Sequence, residues 1–209
     1  MDNLREKLKS FTKEDYANNK INLHIHTCYS DGEGKWEQIL SSAKEKGYKL
    51  IAITDHNTVQ VHKEVKDDIL LTGVEFDCWS GHVLIHLLAY GIDVNHPDIY
   101  PFLAKNRNGC NHVVLRLLTF RNIPKLIKAI HEAGGIAILA HPACCWALNL
   151  EGLVRKLVKM GLDGIETYYP YPRFRRFAKF HSEEEVFKIA EKYPELIRTG
   201  GTDFHGENF

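Results

Sequence analysis

Short apolar, β-branched runs alternate along the chain with longer segments in which apolar residues recur at helical spacing. Gly47, Gly134 and Gly161 follow three of these segments, as expected where a helix ends before a strand. The runs predict seven strands, at residues 21–25, 50–54, 69–74, 83–90, 136–140, 164–167 and 196–199. The segments predict five helices, at residues 35–46, 59–66, 123–133, 150–160 and 182–192. This alternation favours a parallel α/β barrel, with an open α/β sheet as the alternative.

Residues 96–121 interrupt the alternation between the fourth predicted strand and the third predicted helix. We expect them to form a short helical insertion over one face of the barrel. The sequence shows no internal repeat, low-complexity tract or linker, and 209 residues suit one compact domain. Residues 1–209 are therefore expected to form a single domain, with its core at residues 21–206.

Composition excludes several function classes. The 27 positive and 27 negative side chains cancel, which argues against general electrostatic capture of nucleic acid or membrane. No apolar run approaches the roughly 20 residues that a membrane-spanning helix needs. Five cysteines without CxxC spacing, and no secretory signal, predict reduced thiols and a cytoplasmic location. The unusual count is that of histidine, with 12 residues.

Histidines and carboxylates gather at or near the carboxyl ends of the predicted strands. In a parallel barrel these ends open onto one face, so side chains far apart in sequence meet there. A lone histidine at a strand end is more often structural, but a set of imidazoles and carboxylates suits two or three divalent ions such as zinc, manganese or iron. The members of the set are His24, His26, Asp31, His56, Glu75, His86, His141, Asp203 and His205.

Five short motifs lie in order along the chain: HIHTCYSDG, ITDHNT, GVEF, LAHP and GGTDFHG. Together they closely resemble the motifs of the polymerase and histidinol phosphatase (PHP) family, and the resemblance runs from about Ile21 to Gly206. The segments HLLAYGID and 181–206 make the chain most similar to the stand-alone bacterial phosphoesterases of that family. The resemblance implies a distorted seven-stranded (β/α) barrel with a trinuclear metal centre.

The resemblance also implies how the ligands are divided among three metals. The first two metals share Glu75. In the order of the metals, the ligands are His24, His26, Glu75 and Asp203; Glu75, His86 and His141; and Asp31, His56 and His205.

The chain departs from the family pattern in two places. The insertion before the LAHP motif is shorter than in members that process nucleotides. The sequence also ends four residues after His205, where relatives usually continue into another helix. We therefore expect either a trimmed form or an unusual closure of the barrel.

Such a centre suits hydrolysis of phosphate esters, because neighbouring metals give a bridging hydroxide at neutral pH and clamp the phosphoryl oxygens. The leading hypothesis is a metal-dependent phosphoric ester hydrolase that acts on small monoesters, of nucleotides or metabolites. The alternatives are a 5′–3′ exonuclease on short RNA or DNA ends, hydrolysis of histidinol phosphate, and a non-catalytic metal-binding accessory module. The HLLAYGID segment points away from the histidinol phosphate branch.

Contacts to the substrate are harder to predict than the ligands. Arg107 in the insertion and His181 before the last helix are the candidates for binding phosphate. Asp55 is a candidate for orienting the His56 imidazole, or alternatively a strand-end cap. Further candidates are Arg116, Arg121, Arg173, Arg175 and Arg176 for phosphate contact, and Tyr168, Tyr169 and Tyr171 for stacking on a base.

Overall fold

The computed structural model describes residues 2–170 and 179–209, whose strands form two sheets. The first sheet has three parallel strands in the order β1-β2-β3, and the second has five in the order β4-β5-β6-β7-β8. The strands are β1 Ile21–Ile25, β2 Leu50–Ile53, β3 Leu70–Leu71, β4 Gly73–Ser80, β5 Val83–Tyr90, β6 Ile136–Leu139, β7 Gly164–Tyr168 and β8 Ile197–Gly200.

Nine α-helices connect and flank these strands in the part of the chain that the structure describes. The helices are α1 Asp2–Lys9, α2 Lys13–Ala17, α3 Trp36–Glu45, α4 Gln60–Glu64, α5 Asn108–Asn111, α6 Val113–Leu117, α7 Ile123–Glu132, α8 Leu150–Lys159 and α9 Glu183–Lys192. Across residues 2–170 and 179–209, no helix is both long and apolar enough to cross a membrane.

The mixed α/β fold is confirmed, but the described strands do not close into one parallel seven-stranded barrel. β5 pairs antiparallel with both β4 and β6. The edges of the two sheets meet through isolated bridges, one between Ile25 and Phe204 and one between His56 and Glu75. The physical reason for the reversal is the loop of Gly81 and His82 between β4 and β5, since two residues connect only antiparallel strands. Gly81 has a φ of 70°, which glycine adopts without strain.

Local sequence explains why the crossover helices form where they do. The Asn122 side chain accepts a hydrogen bond from the Lys125 N–H at 3.1 Å and caps α7, and the Asn149 side chain caps α8 in the same way. α7, α8 and α9 bury apolar residues at helical spacing in the core of the five-stranded sheet. α3 and α4 share a separate core with β1 and β2. These layers hold the strand ends that carry the candidate ligands.

The insertion segment, residues 96–121, contains a short 3-10 turn at Tyr100–Phe102 followed by α5 and α6. Two contacts fix it to the hairpin of β4 and β5. Trp79 Nε1 donates to the Leu117 carbonyl at 2.9 Å, and Arg121 Nη1 donates to the Asp77 carbonyl at 2.7 Å. The segment therefore lies beside the strand that carries Glu75.

Candidate metal centre

Glu75 lies on β4, amid five imidazole rings. Its carboxylate is fully buried, with Oε2 facing three of the rings and Oε1 facing the other two. The shortest distances from this carboxylate to ring nitrogens of His24, His26, His56, His86 and His141 are 3.3, 3.1, 3.2, 3.0 and 3.3 Å. One carboxylate in this position can serve more than one bound cation.

The ligand-type side chains form four groups, and within each group the donor atoms lie within 4.8 Å of one another. Three groups contain the three sets that the PHP resemblance implies, so all nine predicted ligands come together. The structure adds His26 to the third set, and it places Asp77, which the sequence did not single out, in a fourth group. The groups are His24, His26, Glu75 and Asp203; Glu75, His86 and His141; His26, Asp31, His56 and His205; and His56, Asp77 and His86.

The donor atoms of the first group fit a bound cation. His24 Nε2, His26 Nε2 and Glu75 Oε2 are buried and make no hydrogen bond within the part of the chain that the structure describes. Buried polar atoms are nearly always satisfied, and a cation between these three would satisfy all of them together. The set contains imidazole and carboxylate donors without thiolate, as hard and borderline divalent ions require. The cluster is therefore able to bind metal ions.

The end of the first strand presents two histidines to this cluster because side chains alternate along extended backbone. His24 lies on β1 and His26 directly follows its last residue, so the two side chains share one face. Gly201 lets the end of β8 approach them closely, since a Cβ at this position would lie 2.3 Å from His24 Cβ. The glycine before the TDFHG motif thus has a steric role at the site.

Residues with a strained backbone conformation lie at or next to the candidate ligands. Four non-glycine residues in the described ranges have a positive φ, and three of them are Asn57, His141 and Asp203, with values of 57°, 26° and 49°. Such conformations cost of order 1–3 kcal/mol each and persist where the surrounding structure demands them. Here they turn two candidate ligands and the residue after His56 toward the cluster.

Burial and charge act in opposite directions on the ionisable groups. Burial favours neutral Glu75, yet the surrounding imidazoles hold its pKa well below the usual range. Burial likewise opposes protonation of His24 and His26. The facing carboxylates nevertheless raise the pKa of His24 well above its usual value and the pKa of His26 to about 9. Burial lowers the pKa of His56 strongly. The site thus carries ionised carboxylates that attract cations.

Glu166 is a buried carboxylate beside the cluster that the sequence analysis did not single out. It is fully buried on β7, with Oε1 3.1 Å from His24 Nδ1, and it accepts a hydrogen bond from the His141 backbone N–H at 2.7 Å. Such a carboxylate fixes the orientation of a ligand histidine and leaves the other ring nitrogen free to bind. The sequence did contain a signal for Glu166, because it is a charged residue inside a predicted strand. Strands that are buried on both faces rarely carry charge without a functional or structural partner.

Asp77 is a second missed carboxylate. Its Oδ1 lies 3.4 Å from His56 Nδ1 and 3.2 Å from His86 Nε2. Arg116 from α6 donates to the same carboxylate through Nε at 3.2 Å. Although burial favours the neutral acid, these neighbours lower the pKa of Asp77 to about 2. Asp77 therefore makes the contact with the His56 ring that the sequence analysis considered for Asp55.

Asp55 instead fixes the loop that follows β1. Its carboxylate accepts hydrogen bonds from the Thr27 N–H at 2.7 Å, the Thr27 hydroxyl at 2.6 Å and the Ser30 hydroxyl at 2.7 Å. Asp31 comes directly after Ser30. Asp55 thus acts on the loop that positions Asp31.

The two residues predicted to contact the substrate, Arg107 and His181, both have hydrogen-bond partners within the protein. Arg107 is exposed and donates to the Cys28 carbonyl at 3.2 Å, in the loop between the first histidines and Asp31. His181 has both ring nitrogens engaged, Nδ1 with Glu185 at 3.0 Å and Nε2 with the Ala147 carbonyl at 2.7 Å.

The two described tyrosines that were candidates for stacking on a base differ in their contacts. Tyr169 donates its hydroxyl to Asp203 Oδ2 at 2.9 Å, whereas Tyr168 stacks on Tyr16. Four further candidates for substrate contact lie outside the described residues: Tyr171, Arg173, Arg175 and Arg176.

Comparison with known proteins gives the family. Residues 22–198 match the PHP domain. Phosphoribosyl 1,2-cyclic phosphate 1,2-diphosphodiesterase of Eggerthella lenta is 22% identical, over 88% of this chain and 94% of that protein. The 5′–3′ exoribonuclease Rnm of Escherichia coli is 29% identical over 68% of this chain, but over only 55% of its own length.

A solved structure shares the fold. It belongs to a Bifidobacterium adolescentis protein described as a metal-dependent phosphoesterase, with a TM-score of 0.71, 20% identity, and coverage of 90% of this chain and 88% of that one. The chain therefore belongs to the PHP domain family, and the prediction of a metal-dependent phosphoric ester hydrolase is confirmed at the level of that family.

Proposed function

We propose that this protein hydrolyses small phosphate monoesters, of nucleotides or metabolites, at a centre of two or three zinc, manganese or iron ions. The observation that carries the proposal is the position of Arg116. This residue is only 6% exposed, and its guanidinium lies among the carboxylates and imidazoles of the cluster. The insertion segment delivers it there. The proposed domain is the single unit of residues 1–209, with residues 96–121 over the mouth of the centre.

The proposed ligands are the nine predicted from sequence. His24, His26 and Asp203 would hold one ion together with Glu75, and Glu75 would extend to a second ion beside His86. The remaining ligands, for the second and third ions, are His141, Asp31, His56 and His205. Bound ions would lower the pKa of a coordinated water and neutralise the phosphoryl oxygens. Glu166 holds the His24 ring and the His141 backbone in place for this chemistry.

The arginines of the insertion segment support a monoester as substrate. A guanidinium makes paired hydrogen bonds to a phosphate, and a monoester dianion offers it more charge than an internal diester does. Arg116 lies within the cluster, and we propose that Arg107, which is exposed and donates to the Cys28 carbonyl, contacts the substrate. For His181 a contact to the substrate stays a prediction, because its nitrogens already bind Glu185 and Ala147.

A second candidate is a 5′–3′ exonuclease that acts on short RNA or DNA ends. Its support is the similarity to the exoribonuclease of Escherichia coli. The chain spans about half the length of that relative, whereas it covers nearly all of the diphosphodiesterase, which is named for a small sugar phosphate. The coverage and the arginine-bearing insertion together favour the small substrate.

The decisive experiment compares three substrates with purified protein and added manganese: a nucleoside monophosphate, a nucleoside bisphosphate and a 5′-phosphorylated oligonucleotide. We expect phosphate release from the first two to exceed release of mononucleotides from the third. Glu75→Gln protein, prepared in parallel, measures any contaminating phosphatase. Stepwise release of mononucleotides with both small esters untouched would replace this proposal by the exonuclease.

A further inference from the structure

Arg116 reverses the usual burial pattern of a surface helix. On α6 the arginine is 6% exposed, whereas the apolar side chains of Val113 and Leu115 are 60% and 43% exposed. Surface helices normally bury their apolar side and expose their charges. The buried side chain of α6 is therefore its arginine.

That guanidinium contacts three residues of the cluster. It forms ion pairs with Asp31 through Nη1 and with Asp77 through Nη2, the latter at 3.1 Å. Its Nη2 also lies 2.5 Å from His56 Nε2. Arginine only donates hydrogen bonds, so His56 Nε2 must be the acceptor, and its lone pair points at the guanidinium.

A metal ligand needs the same lone pair. His56 Nε2 faces the cluster, 3.2 Å from Glu75 Oε2 and 3.7 Å from Asp31 Oδ2. An imidazole nitrogen binds a divalent ion at roughly 2.0–2.1 Å, and one lone pair serves either the ion or the N–H donor. The two cations also repel each other at this separation. The guanidinium and a metal ion at the position of Asp31 and His56 therefore exclude each other.

We propose that Arg116 is a displaceable occupant of this position, which a divalent ion must expel in order to bind. Asp77 is not part of the group of Asp31, His56 and His205, so it keeps its contact with the guanidinium as the other contacts break. Arg116 is thus a positioning residue that couples loading of the third metal to loosening of α6, which stays attached through Asp77 and through the hydrogen bond from Trp79 to Leu117. This inference rests on the metal centre of the proposed function.

Manganese titration tests the exchange. Metal-free wild-type protein, Arg116→Met and the matched control Arg155→Met, which changes an exposed arginine on α8, are each titrated while free manganese is counted by electron paramagnetic resonance. We expect the weakest manganese equivalent to bind about 10-fold or more tightly in Arg116→Met, because no charge-assisted hydrogen bonds have to be broken. The control should match wild type. Equal or weaker binding by a folded Arg116→Met protein would overturn the proposal.

Two further measurements keep the test decisive. If Arg116→Met fails to fold because Asp77 is left unpaired, the double variant Arg116→Met/Asp77→Asn removes both charges and should show the same tighter binding. Hydrogen exchange of α6 in wild type should become faster when manganese is added, and unchanged exchange would contradict the loosening of this helix. Both readouts report on the exchange even if no phosphate ester is hydrolysed, so failure of the proposed function is distinguished from failure of this inference.

Discussion

Glu166 lies directly behind His24, with its Oε1 3.1 Å and its Oε2 3.3 Å from His24 Nδ1. The same carboxylate accepts the backbone N–H of His141 at 2.7 Å. One buried residue on β7 therefore fixes a ligand ring from β1 and a ligand backbone after β6. Proposed ligands of two different metals are therefore positioned by Glu166, which is not itself a proposed ligand.

Glu166→Gln should weaken metal binding by about 10–100-fold, because the amide is uncharged and one of its two ends is a donor. The measurement is a metal titration of the folded variant. Glu195→Gln, at an exposed position, is the matched control and should bind like wild type. Unchanged affinity in Glu166→Gln would show that the His24 ring is held by other contacts.

Glu75→Gln should lose metal and phosphatase activity together. Its carboxylate faces all five imidazoles, so the change removes one charge that two metal groups share. Elemental analysis after removal of excess metal, with hydrolysis of a nucleoside monophosphate in parallel, gives both readouts. Glu132→Gln on the exposed side of α7 is the control. Full metal content in Glu75→Gln would mean that the ligand assignment is wrong.

Metal binding should release protons near neutral pH. Burial opposes protonation of both rings, yet the facing carboxylates raise the pKa of His24 well above normal and the pKa of His26 to about 9. Both rings are thus protonated at about pH 7 in the metal-free protein and must lose a proton to bind a metal. Affinity should therefore rise as the pH is raised from about 7 to 9. Calorimetry in buffers of different ionisation enthalpy counts the protons, and a count of zero at about pH 7 would refute the expectation.

Asp163→Asn should destabilise the fold by about 1–3 kcal/mol, because a buried acceptor of several hydrogen bonds loses its charge. Asp163 pairs with Arg5 of α1 and accepts from His131 of α7 at 2.7 Å and from the Ala137 N–H at 2.8 Å. Chemical denaturation of wild type, the variant and the exposed control Asp68→Asn measures the difference.

The contribution of Asp163 should also depend on pH. Burial favours the neutral acid, but the bonds from His131 and Ala137 hold the pKa below its usual value. A lowered pKa adds stability above about pH 4, where the unfolded carboxyl is ionised, and this stability is lost as the pH falls through the folded pKa. The gap between wild type and Asp163→Asn should therefore shrink in acid. A gap that is constant from about pH 7 to 3 would contradict this.

Sequence patterns located the strands well where burial and polarity agree. β1 and β5 begin and end at the predicted residues, since apolar runs with clear boundaries specify them. β4 runs on to Ser80, six residues past the predicted end, because Glu75 and Asp77 broke the apolar pattern. Both carboxylates are buried against imidazoles, so they satisfy their charge inside the protein rather than in water.

The nine candidate ligands could be proposed from sequence because their residue types and motifs are local, whereas the residues around them could not. Glu166 and Asp77 act through partners more than ten residues away in sequence, for example His24 and His56. Arg116 lies in the run VVLRLL, in which burial of the apolar residues is the ordinary expectation. Its burial follows from a tertiary ion pair with Asp77, which the pattern of a single helix does not encode.

The register of the β4–β5 hairpin sets the separations among three side chains of the candidate metal centre. Glu75 and Asp77 stand two residues apart on β4, and Asp77 is directly opposite His86 on β5. Since one residue of slippage turns every side chain to the opposite face, the register holds three ligand-type groups at fixed separations. A single-residue deletion within either strand would therefore dismantle the centre, whereas insertions at the turn of Gly81 and His82 should be tolerated. Within this hairpin, we therefore expect changes in length to be tolerated only at the tip.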